Sequence, residues 1–272
     1  MISFNEKLEC AIRKNNSILC VGLDPDITKF PKAVKLYPAN EQTLLFIKKV
    51  IDLTKCSVCA YKIQKAFFDI LPDGHDVLEK VIKYVHETTS VPVILDCKIG
   101  DIDNTMKIYM KNIFEILKAD AVLVNPYMGD EVFCFTEKYK DRGFIVLCQT
   151  SNNGAKIVQE QMVDGEFLWK KILRLSMNRW NKNKNIIPVI SSNTRFDKSI
   201  LQIILAETPV LLAGYGAQGG KNVSEYDELL RDRKVFVNSS RGILFNFEEE
   251  KWEECIGENA VNAKEKLNEL RK

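Results

Sequence analysis

The sequence predicts an α/β fold, a (β/α)8 TIM barrel with N- and C-terminal helices. Three observations carry that prediction. Eight short apolar runs recur through the 272 residues, each followed by polar residues. The segments between them place apolar residues at helical spacing, so strand and helix alternate strictly. Strand one ends V-G-L-D-P-D, without the G-x-G-x-x-G turn of a doubly wound nucleotide fold, the competing architecture.

Residues 4–14 read as a short entry helix. The expected strands are 18–24, 58–64, 91–98, 121–127, 144–151, 186–192, 209–214 and 235–240. Val91, Val93, Ile94 and Leu95 typify them, a run for a strand covered on both faces. The clearest helix is 76–88. Val77, Leu78, Val81, Ile82 and Val85 form one stripe, and Glu79, Lys80 and Lys83 fall off it. Residues 104–118 and 167–180 share that period, and a last helix spans about 260–271. The polar run 178–185, N-R-W-N-K-N-K-N, reads as a solvated helix end. No linker or shift in composition divides the chain, so residues 1–272 are expected to form one domain.

Hydrophobic residues make up 46% of the chain, enough for a sizeable core. The formal net charge of +2 argues against a nucleic-acid binder. No apolar run approaches the ~20 residues of a membrane span. The N-terminal M-I-S-F-N-E-K-L-E-C lacks the pattern of a signal peptide. Eight cysteines are too few for a disulfide scaffold, and Cys20, Cys97 and Cys148 sit in apolar runs as small hydrophobes. Cys56 and Cys59 make a lone C-x-x-C with no second pair, which favours a structural role. The expected compartment is a reducing cytoplasm.

In a barrel all strand C-termini meet at one mouth. Strand one brings Asp24 there, strand two Lys62 and Gln64, and strand three Asp96 and Lys98. Asp96 and Lys98 are two apart, so an extended chain puts both on one face. Gly100 is expected to turn the chain, and Asp101 follows. Asn125 ends strand four, and Thr150 and Ser151 end strand five. Strand seven runs into G-Y-G-A-Q-G-G, residues 214–220, and strand eight into S-S-R-G with Arg241. Glycine N–H groups and an Arg fork suit a phosphate, and barrels often hold one after strands seven and eight. The lysines alternate with carboxylates, and each sign favours the charged form of the other. An ammonium so held can protonate a carbanion. His75 and His86 flank the helix after strand two as surface or cap residues, so no His-based triad is available. The paired lysines argue against a metal by repulsion.

The motif D-x-K-x-x-D-I-x-x-T, residues 96–105, resembles the signature of the orotidine 5'-phosphate decarboxylases. V-G-L-D-P-D, Y-K-I-Q-K-A-F-F, V-N-P-Y-M-G-D, T-S-N, G-A-Q-G-G and N-S-S-R follow the family's order over almost the whole barrel. The pattern is similar to the single-domain branch containing bacterial and apicomplexan enzymes. The resemblance implies decarboxylation of orotidine 5'-monophosphate (OMP) to uridine 5'-monophosphate (UMP), the last step of UMP biosynthesis, by a cofactor-free homodimer with shared sites. It implies a charged tetrad of Lys62, Asp96, Lys98 and Asp101, with Lys98 protonating C6. Asp101, Ile102 and Thr105 cross to the neighbouring subunit's site. Asp24 and Lys62 meet the ribose, and Thr150 and Ser151 the pyrimidine. Gln64 and Asn125 complete the expected binding set, and Gly216, Gln218, Gly220 and Arg241 hold the phosphate. An orotate phosphoribosyltransferase is a candidate partner; nucleic acid and membrane are not.

Three residues depart from the family pattern. Ala213 stands where Pro is usual, Gln64 where Asn is common and Asp103 where Gly is frequent. The competing enzyme class is a magnesium-dependent sugar-phosphate decarboxylase or aldolase of the same superfamily. The non-enzyme alternative is a nucleotide-binding relic, against which all four tetrad charges stand. The connection 152–165 is long for this fold, and a lid and a partner surface both remain open for it.

Overall fold

The computed structural model describes residues 2–192, 203–204, 208–214 and 234–271. Its strands are β1 (Leu19–Leu23), β2 (Ala60–Gln64), β3 (Val93–Ile99), β4 (Ala121–Val124), β5 (Gly143–Leu147), β6 (Met162–Val163), β7 (Glu166–Phe167), β8 (Ile186–Ser191), β9 (Val210–Ala213) and β10 (Val235–Ser239). All but β6 and β7 pair in parallel and close a barrel in the order β1-β2-β3-β4-β5-β8-β9-β10. This is the predicted eight-stranded barrel. β6 and β7 form a separate antiparallel pair within the long connection after β5.

The helices are α1 (Phe4–Asn15), α2 (Lys32–Lys35), α3 (Ala39–Thr54), α4 (Ala66–Asp69), α5 (Gly74–Thr88), α6 (Asp103–Met110), α7 (Ala155–Gln159), α8 (Leu168–Leu175), α9 (Arg241–Leu244) and α10 (Trp252–Glu269). A reciprocal Ser3–Glu6 capping box starts α1. Phe4 then seats at the N-terminal end of the barrel. A side chain at Gly143 would meet its ring at 2.7 Å, which is why β5 begins with glycine. The α5 stripe is buried as the periodicity predicts. The helices expected over 104–118 and 167–180 exist, but each ends in a wider π turn, at Lys111–Ile116 and Ser176–Trp180. Helix α10 begins earlier than expected. Trp252, Ile256 and Ala260, spaced by four, bury a stripe that the surrounding glutamates obscure in the sequence.

The reading of one polar run needs correcting. The run 178–185 is not simply a solvated helix end: Asn181 and Asn185 are buried. The Asn185 amide donates to the carbonyls of Thr136, Tyr139 and Arg142, and Asn181 Oδ1 accepts the Ile186 N–H. Asparagines here satisfy backbone groups that a buried loop would otherwise leave unpaired. His86 is exposed, as expected, and is held in place. Its Nε2 meets Asp120 Oδ2 at 2.9 Å, at the N-terminal end of the barrel.

Buried Asp120 also accepts from Lys7 Nζ at 2.6 Å and from the Val93 N–H at 2.9 Å. Burial alone would push its carboxyl up. His86, Lys7 and the Val93 N–H outweigh burial and bring its pKa down to about 2 from 3.8. The stabilisation is therefore full above the unfolded value and lost as pH falls through the folded one. Asp120→Asn should cost about 2 kcal/mol at pH 7 and flatten the loss of stability between about pH 4 and pH 2. Urea titrations across that range check it; an unchanged acid limb would contradict it.

Candidate active site

Register places the first charged groups. Gly22 pairs with Lys62, and Gln64 with Asp96, at the C-terminal ends of β1, β2 and β3. Lys62 Nζ donates to Asp96 Oδ2 at 2.8 Å, and Lys98 Nζ to Asp96 Oδ1 at 2.5 Å. Asp24 Oδ1 stands 4.0 Å from Lys62 Nζ. Asp96 thus bridges two ammonium groups. Burial opposes its charge, but Lys62 and Lys98 hold its carboxyl below the usual range. Burial likewise opposes the charge on Lys62, and Asp96, then Asp24, hold its ammonium above the usual range. The buried Cys20 thiol lies within reach of these charges, but burial pushes it up to about 12.

The two lysines differ in access. The Lys62 side chain is 9% exposed and the Lys98 side chain 44%, so Lys98 is the group a ligand can reach. Lys98 does not sit on a regular strand. The β3–β4 register shifts between Leu95 and Ile99, and Lys98 takes φ +45°. A side chain in left-handed backbone costs of order 1 kcal/mol, and such outliers gather at working sites. The bulge, not strict alternation, brings its ammonium back onto Asp96.

Beyond the bulge the chain crosses closely over β4. The Asn125 N–H donates to the Ile99 carbonyl at 2.6 Å, and a side chain at Gly100 would meet the Asn125 carbonyl at 2.3 Å. Close approach, rather than a turn of unusual φ, is what demands glycine there. Asp101 Oδ1 accepts the Ile102 N–H at 2.8 Å. Among the described residues it makes no ion pair with Lys62 or Lys98, so the fourth charge does not join the other three within one chain. Ile102 and Thr105 are exposed. Asp103 has φ +43°, backbone that glycine favours.

At the end of neighbouring β4, Asn125 Oδ1 accepts the Tyr127 N–H and starts the turn that follows. The Thr150 hydroxyl donates to Asn152 Oδ1 and accepts from Gln159 Nε2. Ser151 Oγ lies 3.1 Å from where a side chain on Gly214 would begin, and Gly214 has φ +96°. Gln64 ends β2 half-buried, and Arg241 opens α9 exposed. Gly216, Gln218 and Gly220 lie outside the described residues.

The strand-end inventory missed three groups. Among the described residues, the Ser192, Asn238 and Ser240 side-chain oxygens are buried without a hydrogen-bond partner, as is Asp24 Oδ1. All four lie at the C-terminal ends of barrel strands. Unpaired buried oxygens concentrated at the mouth point to a polar ligand. The serine pairs in I-S-S-N and N-S-S-R were the available signal. Among the described residues no three His, Cys, Asp or Glu side chains gather to hold a metal ion. No helix among them is long and apolar enough to cross a membrane.

The model of the orotidine 5'-phosphate decarboxylase / HUMPS family matches residues 17–253. The chain belongs to this family. It is 36% identical to the orotidine 5'-phosphate decarboxylase of Cellvibrio japonicus, over 99% of this chain and all of that one. The enzyme of the same name from Dechloromonas aromatica is also 36% identical, over 98% of this chain and 99% of its own. Among solved structures, Leishmania donovani OMP decarboxylase superposes with a TM-score of 0.83 at 26% identity, covering 99% of both chains. Leishmania donovani UMP synthase superposes with a TM-score of 0.85 at 28% identity, covering all of this chain and 57% of that one.

Proposed function

We infer that this chain is an orotidine 5'-phosphate decarboxylase, converting OMP to UMP and carbon dioxide at the end of UMP biosynthesis. The observation that carries the reading is Asp96 held between a buried ammonium, Lys62, and an accessible one, Lys98. The substrate loses its C6 carboxylate as carbon dioxide and leaves an electron pair on C6. Lys98 gives that carbon a proton and regains one from water. Asp96 faces the departing carboxylate, and its negative charge opposes the ground state more than the transition state. Lys62 keeps Asp96 ionised and, with Asp24, meets the ribose.

Ser151, with Thr150 behind it, meets the pyrimidine edge, with Gln64 and Asn125 nearby. Arg241, Gly216, Gln218 and Gly220 hold the phosphate, whose binding energy supports chemistry at the distant ring. Asp101, Ile102 and Thr105 serve the site of a second copy of the chain. The pairing of Asp101 with the Ile102 N–H, and with neither lysine among the described residues, supports that sharing. So do the exposed Ile102, Ile108, Tyr109, Tyr127 and Met128 on the β3 and β4 units. We read residues 1–272 as one domain working in the cytoplasm. Association with an orotate phosphoribosyltransferase belongs to the same reading, and its support is the match to the longer UMP synthase chain.

The test is the absorbance change of OMP with protein pretreated with EDTA. Undiminished turnover is expected. Magnesium-dependent turnover of a sugar phosphate, with none of OMP, would instead select the other branch of the family. Tight UMP binding with no turnover of either substrate would mark a relic.

A further inference from the structure

Gln159 has no part in the chemistry described so far. It ends α7, in the long connection after β5, and is half-buried. Its Oε1 accepts the Thr150 N–H at 2.9 Å, and its Nε2 donates to Thr150 Oγ1 at 2.8 Å. The Thr150 hydroxyl in turn donates to Asn152 Oδ1 at 2.7 Å. The backbone N–H needs an acceptor, which sets the direction of the Gln159 amide. The amide N–H then takes a lone pair of the hydroxyl and leaves the hydroxyl proton for Asn152. Both the N–H and the hydroxyl of Thr150 are therefore held by its own loop.

The next residue is placed differently. Ser151 Oγ lies against Gly214, at the end of β9. Among the described residues its hydroxyl has no hydrogen-bond partner. The clamp acts on one residue, and the free hydroxyl sits on its neighbour, a single peptide away. Fixing the Thr150 backbone sets the direction in which the chain enters Ser151, past the end of β5.

We propose that Gln159 is a positioning residue that aims the Ser151 hydroxyl at the pyrimidine edge of the substrate, acting through Thr150. The proposal rests on the substrate reading above. It also gives the connection after β5 a role in recognition, because α7 is what carries Gln159 back to the strand end.

The experiment is a double-mutant cycle on OMP turnover with Gln159→Ala, Ser151→Ala and both together, using the full-length protein. Gln159→Ala should lower kcat/KM about tenfold, the worth of two neutral hydrogen bonds. The double variant should be no worse than Ser151→Ala alone, because both changes remove one interaction. Competitive inhibition by inorganic phosphate, a probe without a pyrimidine, should not change. Gln159→Glu should recover part of the loss, since a carboxylate still accepts the Thr150 N–H. Fully multiplicative losses, or a Gln159→Ala variant within about twofold of the parent, would overturn the proposal. If Gln159→Ala melts out of its fold, Thr150→Val takes its place in the cycle and is read by the same criteria. A parent without OMP turnover overturns the substrate reading and this proposal with it, before any variant is compared.

Discussion

Lys98→Ala is expected to lower kcat on OMP by about 10⁴-fold, the upper range for removing a general acid. The same change should leave the melting temperature almost untouched. Lys98 is half-exposed, so its removal buries no charge and opens no core. Asp96 keeps Lys62 as a partner at 2.8 Å. Lys98→Gly sharpens the contrast. The φ of +45° at this position suits glycine, so Lys98→Gly should be about 1 kcal/mol more stable than Lys98→Ala and equally inactive. Asp96→Ala should behave in the opposite way. Among the described carboxylates it leaves the buried Lys62 ammonium with Asp24 alone, 4.0 Å away, and should cost about 3 kcal/mol as well as activity. Single-turnover absorbance and thermal melts on the three variants separate chemistry from folding. A Lys98→Ala enzyme retaining a tenth or more of parental kcat would remove Lys98 from the proton step.

Much of the barrel is legible in the sequence because its strands are buried on both faces. Leu19, Val21 and Leu23, or Ile145 and Val146, have no solvated side to interrupt the apolar run. Strand ends are less legible. β4 stops at Val124 and β5 at Leu147, short of the polar residues assigned to them. Those residues leave the ladder because they turn toward partners of their own, as Asn125 and Thr150 do. The types of charge at the mouth could be read off residue by residue. The bulge that aims Lys98 could not, because it arises from a register shift against β4. The Asp120 network was hidden for a similar reason. It joins α1, the end of α5 and the start of β4, and no local pattern links Lys7, His86 and Asp120.

Mixing two inactive variants should restore activity. Lys98→Ala and Asp101→Asn homodimers should each fall below about a hundredth of parental turnover, since each site loses one charged group. In the proposed dimer a site takes Lys98 from one subunit and Asp101 from the other. A hybrid dimer therefore has one site broken twice and one fully parental. Random reassociation of equal amounts makes half the dimers hybrids, so about one quarter of all sites, and of parental activity, should return. Recovery should grow with the time allowed for subunit exchange. The geometry makes this test decisive. Within one chain Asp96 already bridges Lys62 and Lys98, and among the described residues Asp101 binds its neighbouring Ile102 N–H and neither lysine. If Asp101 served its own subunit's site, every hybrid site would carry one defect and no mixture would exceed the variants themselves. A mixture that stays inactive while sedimentation shows full subunit exchange would therefore place Asp101 in its own site.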